Sequence, residues 1–248
     1  MGFGPAVTPD VVKQLMIANA AVFVAQVLAD GWGFPLTDLG AVRPALFWSG
    51  WLWQPLTYMF MHGGLLHIAM NMFALWMFGS PLALLWGPKR FLQLYFVSGV
   101  GAGFLIAGLP ALASLAGLQF PSLSMYASTV GASGAVYGVI VGYSLTFPNR
   151  TIMLMFPPVA FRAIWLVPVL FFMEYAFGGR NVSHVGHLGG AAVAYFWLSR
   201  GERGGGLPSM EQIRWRIRRW RMRRQLRAVR NEQSSWRQRA RHDDRTLH

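Results

Sequence analysis

Val130-Gly-Ala-Ser-Gly-Ala-Val-Tyr-Gly138 places a candidate nucleophile, the hydroxyl of Ser133, among small residues near the start of a strongly apolar stretch. A second apolar stretch further along the chain opens with His184-Val-Gly-His-Leu-Gly-Gly190. Polar side chains cost free energy in hydrocarbon and are usually kept there for a function. A serine and a histidine on two such stretches therefore suggest a hydrolytic pair that works inside a membrane.

The composition is that of a membrane protein. Of the 248 residues, 54% are hydrophobic and 12% are charged, whereas about a quarter of the residues in soluble domains are charged. Of the 22 Lys and Arg residues, 15 lie between Arg200 and Arg245, so the net charge of +13 belongs mainly to the C-terminal tail. The absence of cysteine excludes disulfides and thiolate metal sites.

Six apolar segments approach the roughly 20 residues that cross about 30 Å of hydrocarbon as a helix. They cover residues 11–29, 65–86, 91–109, 125–147, 159–177 and 182–198. The expected fold is therefore all-α, a polytopic protein with six transmembrane helices. We expect residues 1–200 to form this membrane domain and residues 201–248 to form a basic cytoplasmic tail.

The segment of about residues 30–64 between the first two spans is too long for a simple turn. It contains Trp32, Trp48, Trp51 and Trp53. Because tryptophan favours the headgroup region of a bilayer, we expect this segment to lie in the outer interface.

Basic residues predict the orientation, because they concentrate in cytoplasmic loops. With a cytoplasmic amino terminus, the inner side holds five basic residues besides the tail and the outer side holds two. The inner set is Lys13, Lys89, Arg90, Arg150 and Arg162, and the outer set is Arg43 and Arg180. We therefore expect a multi-pass protein of the cell (inner) membrane with both termini in the cytoplasm.

This orientation places four polar side chains at a similar depth below the outer surface. The second, fourth and sixth spans all run inward. His67 and Asn71 lie in the first two turns of the second span, whereas Ser133 and His187 are predicted about two turns into the fourth and sixth. His67 and Asn71 share one helix face, and both can donate hydrogen bonds to a developing oxyanion. Interhelical hydrogen bonding is the alternative role for this pair.

Residues near Ser133 and His187 suggest how their helices meet. Gly134, Gly138 and Gly142 form a seam of small residues on the fourth span, as do Gly186, Gly190 and Ala194 on the sixth. Such seams let helix backbones approach closely, so we assign these glycines a packing role. Tyr137 lies one turn after Ser133, where it can pack against the imidazole or simply fill space between helices.

No carboxylate is predicted beside His187. Asp38 lies in the outer segment, and Glu174 lies near the outer end of the fifth span. The sequence therefore favours a Ser–His dyad over a triad, and no role is assigned to Glu174.

Over about residues 53–198 the sequence resembles the rhomboid intramembrane serine proteases. Gly131-Ala-Ser-Gly134 is similar to the family's G-x-S-G motif, and His187-Leu-Gly-Gly190 is similar to its H-x-x-G motif. Thr57-Tyr-Met-Phe-Met-His62, followed by His67 and Asn71, resembles the H-x-x-x-x-H-x-x-x-N pattern of its second helix.

The resemblance implies a role for each matching residue. Ser133 is the nucleophile and His187 the general base, with Tyr137 beneath the histidine. His67, Asn71 and the Ser133 N–H form the oxyanion hole, and Gly131 and His62 support it. The resemblance implies peptide hydrolysis in or near transmembrane segments of protein substrates, without a cofactor. His184 is the competing choice for the base, but the spacing to Gly190 favours His187.

Three alternatives remain open at this point. The chain could be a catalytically inactive rhomboid-like binder of transmembrane segments. His62, His67, His184 and His187 could instead hold a metal, although the sequence contains no H-E-x-x-H motif. The arginine-rich tail fits a helix on the anionic inner leaflet; nucleic-acid binding is the other interpretation of such a run and is not expected directly after a membrane helix.

Overall fold

The structure is a computed structural model of the chain. It describes residues 4–118, 120, 123–153, 158–177 and 183–200. The predicted basic tail, residues 201–248, lies outside the described residues, as does Arg180.

Helices dominate the described part of the chain. The α-helices are α1 (Asp10–Gly31), α2 (Leu36–Gly40), α3 (Pro44–Trp48), α4 (Gln54–Thr57), α5 (Leu65–Ala74), α6 (Ser80–Trp86), α7 (Pro88–Leu115), α8 (Ser133–Thr146), α9 (Leu166–Phe177) and α10 (His184–Arg200). Short 3₁₀ turns cover Tyr58–Phe60 and Ala163–Trp165, and a π-helical turn, Leu75–Gly79, joins α5 to α6. The strands are β1 (Thr151–Met153) and β2 (Ala160–Arg162).

Three helices of the described residues are long and apolar enough to cross a membrane: Asp10–Gly31, Leu65–Trp86 and Pro88–Leu115. They confirm the first three predicted spans. Helices α8, α9 and α10 have 14, 12 and 17 residues, fewer than the roughly 20 that a perpendicular span needs. Helix length therefore supports a polytopic membrane protein but does not confirm the predicted number of six spans.

The predicted fourth span begins too early. Residues 125–132 are not helical, and α8 begins only at Ser133. The physical reason is a long-range pairing: Val42 and Thr129 form an antiparallel bridge, in which each backbone N–H donates to the other's carbonyl at 2.9 Å. This pairing ties the segment before Ser133 to the segment that follows α2.

The predicted fifth span also begins too early, and the all-α prediction is wrong in one detail. Strands β1 and β2 form an antiparallel hairpin in which Ile152 lies opposite Phe161. Branched and aromatic side chains favour such paired strands. Helix α9 consequently begins at Leu166 rather than at residue 159.

The segment between α1 and α5 is structured rather than open. Trp48 Nε1 donates to the carbonyl of Ala107 on α7 at 3.0 Å, and Trp53 Nε1 donates to that of Leu39 at 3.1 Å. The Trp51 and Trp53 rings stack, with centroids 5.2 Å apart. The tryptophans thus fasten this segment to itself and to α7.

Helices α7, α8 and α10 pack together, and glycines allow the closest approaches. A Cβ at Gly190 would lie 2.0 Å from the carbonyl oxygen of Gly134, so α8 and α10 are in backbone contact there. The predicted seam on α8 is only partly correct, because Gly138 and Gly142 mainly face Ser98 and Leu94 on α7. Gly134 therefore provides the close contact with α10.

Candidate active site

Ser133 is the first residue of α8 and is half-buried. It therefore lies at the end of its helix rather than two turns inside it, and His187 likewise lies in the first turn of α10. Backbone N–H groups in the first turn of a helix have no partner within that helix. The Ser133 N–H thus belongs to a set of donors that can bind a developing negative charge.

The residue two before Ser133 must be glycine. Gly131 has a φ of +128°, which side chains rarely tolerate, and a Cβ there would lie 2.8 Å from Cε1 and Nε2 of His67. The same point is 3.6 Å from the Ser133 Oγ. The His67 ring and the Ser133 hydroxyl therefore border the same small space beside Gly131.

His67 presents a donor to this space. Its Nδ1 accepts the backbone N–H of Gly63 at 3.3 Å. A neutral imidazole that accepts through Nδ1 carries its proton on Nε2, the nitrogen that faces Gly131. Asn71 differs: it is buried one turn further along α5 and donates to the His67 carbonyl at 3.0 Å. Within the part of the chain that the structure describes, no hydrogen bond joins Asn71 to Ser133.

His62 holds the turn that precedes Ser133. The Ala132 N–H donates to its Nε2 at 3.5 Å, and its Nδ1 lies 3.2 Å from the carbonyl of Phe60. The Gly131 N–H donates to the carbonyl of Tyr58 at 2.9 Å. Burial, reinforced by the neighbouring His67, lowers the pKa of His62 to about 4. The ring is therefore neutral near pH 7, with one nitrogen to donate and one to accept.

Gln26 of α1 fixes the main chain of His62. Its side-chain amide donates to the His62 carbonyl at 2.7 Å and accepts the His62 N–H at 2.9 Å. Both residues are buried. The only sign of this role in the sequence is a polar side chain, that of Gln26, within an apolar helix. The first helix is thus connected through His62 to the turn at Ala132.

His187 is held on one face and at one nitrogen. The Tyr137 ring stacks on it with centroids 4.5 Å apart and an interplanar angle of 15°. Its Nδ1 lies 2.5 Å from Oε2 of Glu174. The expectation that no carboxylate lies beside His187 is therefore wrong. Helix α9 brings Glu174, in its last turn, level with the first turn of α10.

Glu174 has two further partners. Oε2 accepts the Tyr137 hydroxyl at 2.7 Å, and Oε1 lies 2.8 Å from Nδ1 of His184. His184, the competing choice for the base, has a side chain 38% exposed, whereas that of His187 is 13% exposed. Among the residues with described positions, no group of three or more His, Asp or Glu side chains is arranged to hold a metal ion.

Ser133 and His187 lie on helices in backbone contact at Gly134 and Gly190. Among the residues that the structure describes, no hydrogen bond joins the Ser133 hydroxyl to His187. Such bonds are often long in enzymes without a substrate and tighten when one binds. Because Glu174 occupies Nδ1, the nitrogen of His187 that can accept a proton is Nε2.

Comparison with known proteins relates the sequence of this chain to one family. The profile described as Rhomboid domain matches residues 49–200. Rhomboid protein 1, mitochondrial, of Saccharomyces cerevisiae is 35% identical over 147 residues, which are 56% of this chain and 39% of that protein. RHOMBOID-like protein 12, mitochondrial, of Arabidopsis thaliana is 32% identical over 210 residues, or 79% of this chain and 59% of that protein.

A bacterial relative is similar as well. Rhomboid protease GluP of Bacillus subtilis is 28% identical over 165 residues, which are 65% of this chain. The aligned part is only 28% of that relative's own length, so this chain matches a small part of that protein. The family match spans more than half of the chain and includes Ser133, Glu174 and His187. The chain therefore belongs to the rhomboid family.

Proposed function

We propose that the protein is an intramembrane serine endopeptidase that hydrolyses peptide bonds in or near transmembrane segments, with Ser133 as nucleophile and His187 as general base. One observation carries the proposal. The His187 ring is stacked on Tyr137, one turn after Ser133 on α8, and its Nδ1 is occupied by a carboxylate. This arrangement leaves Nε2 to take a proton from a hydroxyl at the start of α8.

The reaction has two halves. Ser133 Oγ attacks the substrate carbonyl carbon while its proton moves to His187 Nε2. The tetrahedral intermediate then collapses: the C–N bond breaks, His187 returns the proton to the leaving amine, and an ester on Ser133 remains. A water molecule, deprotonated by His187, attacks this ester. Collapse of the second intermediate releases the carboxylate product and returns the proton to Ser133.

Charge develops on the carbonyl oxygen in both halves. The Ser133 N–H, free at the start of α8, and the proton on His67 Nε2 lie beside the Gly131 space. In a soluble enzyme, one such donor contributes about 3–4 kcal/mol to stabilisation of the transition state. We assign Asn71 a supporting role in this hole, because its amide already donates to the His67 carbonyl.

The substrate class follows from the location. A helix with all its backbone hydrogen bonds made protects its peptide bonds, and hydrocarbon strengthens that protection. We therefore assign the protein transmembrane substrates whose helix unwinds near its outer end. We also propose six spans with both termini in the cytoplasm, which agrees with the distribution of Lys and Arg in the loops.

Cleavage of a model transmembrane substrate in proteoliposomes tests the proposal. The purified wild type should cut, and Ser133→Ala and His187→Ala should each be inactive. Ser144→Ala is the matched control: Ser144 is a buried serine on the same helix, and it lies away from the site. Substrate binding without cleavage by the wild type would instead identify an inactive binder.

A further inference from the structure

The site holds a carboxylate that a Ser–His dyad does not require. On the basis of the proposed function, we propose that Glu174 is the positioning acid of His187, so that the hydrolytic unit is Ser133, His187 and Glu174. The observation is a direct contact of 2.5 Å between Glu174 Oε2 and His187 Nδ1. A group that acts through the base in this way fixes its tautomer and its orientation.

The Oε2 atom serves His187 and Tyr137 together. It accepts the Tyr137 hydroxyl at 2.7 Å while the Tyr137 ring stacks on the imidazole of His187. Each of the three groups therefore contacts the other two. The imidazole cannot rotate about its bond to Cβ without losing both the stacking and the Nδ1 contact.

The Oε1 atom is anchored separately. His184 Nδ1 lies 2.8 Å from it, and the Glu174 side chain is only 9% exposed. His184 lies one turn before His187 on α10, so both histidines hold the carboxylate from the same helix. The carboxylate is thus fixed at both oxygens, which prevents it from turning away from His187.

The partners of Glu174 fit an ionised carboxylate. The Tyr137 hydroxyl and the Nδ1 atoms of His184 and His187 surround its two oxygens. All three can donate only if Glu174 carries no proton of its own, because an ionised carboxylate is an acceptor only. The contact then requires the proton of His187 to lie on Nδ1 and leaves Nε2 as the acceptor.

The same charge acts during the reaction. When the Ser133 proton reaches Nε2, the ring becomes an imidazolium, and a carboxylate in contact with its Nδ1 stabilises that cation. An ionised carboxylate is costly to bury unless its hydrogen bonds are made. Packing between α9 and α10 alone would be satisfied by an apolar side chain of similar size, which makes a role in chemistry the better account of Glu174.

The experiment compares Glu174→Ala, Glu174→Gln and Glu174→Asp with the wild type in proteoliposomes. We expect Glu174→Ala to lower kcat by about 10²–10⁴-fold, in the range of tautomer-disrupting changes in soluble triads, with KM little changed. The Gln variant keeps the shape but can turn an NH2 donor towards Nδ1 and select the wrong tautomer of His187, so we expect it to lose about as much kcat as Ala. The Asp variant keeps the charge and should recover part of the loss. Tyr175→Phe is the control, because it removes an exposed hydroxyl from the same helix.

A spectroscopic measurement separates positioning from folding. In ¹⁵N-histidine NMR of the wild type, we expect the His187 signal, identified by its loss in His187→Gln, to show a proton on Nδ1. This proton should move or exchange rapidly in Glu174→Ala. A wild-type His187 protonated only on Nε2 would overturn the proposal, even if the variants do not fold. So would a Glu174→Ala enzyme with wild-type kcat. Retained cleavage in Ser133→Ala would instead refute the proposed function itself.

Discussion

Gly190 lies directly against the main chain of Gly134, with no room for a side chain between them. A Cβ at Gly190 would be 2.0 Å from the Gly134 carbonyl oxygen and 2.9 Å from its Cα. Because Gly134 follows Ser133 and Gly190 follows His187 by less than one turn, this contact sets the separation of the two proposed catalytic residues.

We therefore expect Gly190→Ala to separate α8 from α10 and to abolish cleavage. Overpacking of a tight site costs about 1–3 kcal/mol of stability, and a clash with main chain lies at the upper end of that range. Gly108→Ala on α7 is the matched control, since a Cβ there meets nothing within 4 Å. Thermal unfolding in detergent measures the loss of stability, and a cleavage assay measures the loss of activity. A Gly190→Ala enzyme as active as Gly108→Ala would contradict this account.

The turn at Gly131 provides a second test with a paired control. Gly131→Ala combines a φ of +128° with a clash against the His67 ring, whereas Gly33→Ala has a φ of +84° and no neighbour within 4 Å. Both substitutions strain the backbone by about 1–2 kcal/mol. We expect only Gly131→Ala to lose activity, because it displaces His67 from the Ser133 hydroxyl. Equal activity in the two variants would show that the clash has no catalytic consequence.

Gln26 connects a helix outside the matched domain, residues 49–200, to the turn before Ser133. We expect Gln26→Met to leave the N–H and carbonyl of His62 without partners. Each of these buried groups should then lower the free energy of unfolding by about 1–3 kcal/mol. The substitution should also lower kcat, because His62 holds Ala132. Gln14→Met, an exposed glutamine on the same helix, is the control. Unchanged stability and kcat in Gln26→Met would show that α1 does not support the site.

The buried His62 predicts a pH dependence of stability. Its pKa is about 4 in the folded protein against 6.5 as the ordinary value, so between these values the unfolded chain binds a proton that the folded chain does not. The free energy of unfolding is therefore not reduced by His62 above about pH 6.5. As the pH falls from there towards 4, protonation of His62 in the unfolded chain lowers this free energy by about 3 kcal/mol in total.

Thermal unfolding of the wild type and His62→Gln between pH 4 and pH 7.5 measures this effect. The midpoint of the wild type should fall more steeply below pH 6.5 than that of the variant. Parallel pH curves would show that His62 does not remain neutral in the folded protein.

The first three spans could be predicted because long apolar runs such as residues 65–86 leave few alternatives to a membrane helix. The start of α8 could not, because the apolar residues before Ser133 are held by pairing between Val42 and Thr129, which lie far apart in the sequence. Motif spacing indicated Ser133, His187 and Tyr137.

Glu174 was missed for a similar reason. Its contact with His187 depends on the position of the end of α9 relative to α10, and the spacing of residues along the sequence does not predict that position. A single carboxylate in an apolar helix was nevertheless a usable signal, since such a group needs partners. The two histidines at the start of the next helix were the available donors.

Covalent labelling tests the central claim most directly. The wild type in proteoliposomes is treated with a fluorophosphonate, and the modified residue is located by mass spectrometry. We predict one adduct, on Ser133, that is lost in Ser133→Ala, strongly reduced in His187→Ala and retained in Ser144→Ala. An adduct on another serine, or cleavage by an enzyme whose Ser133 remains unmodified and dispensable, would contradict the account.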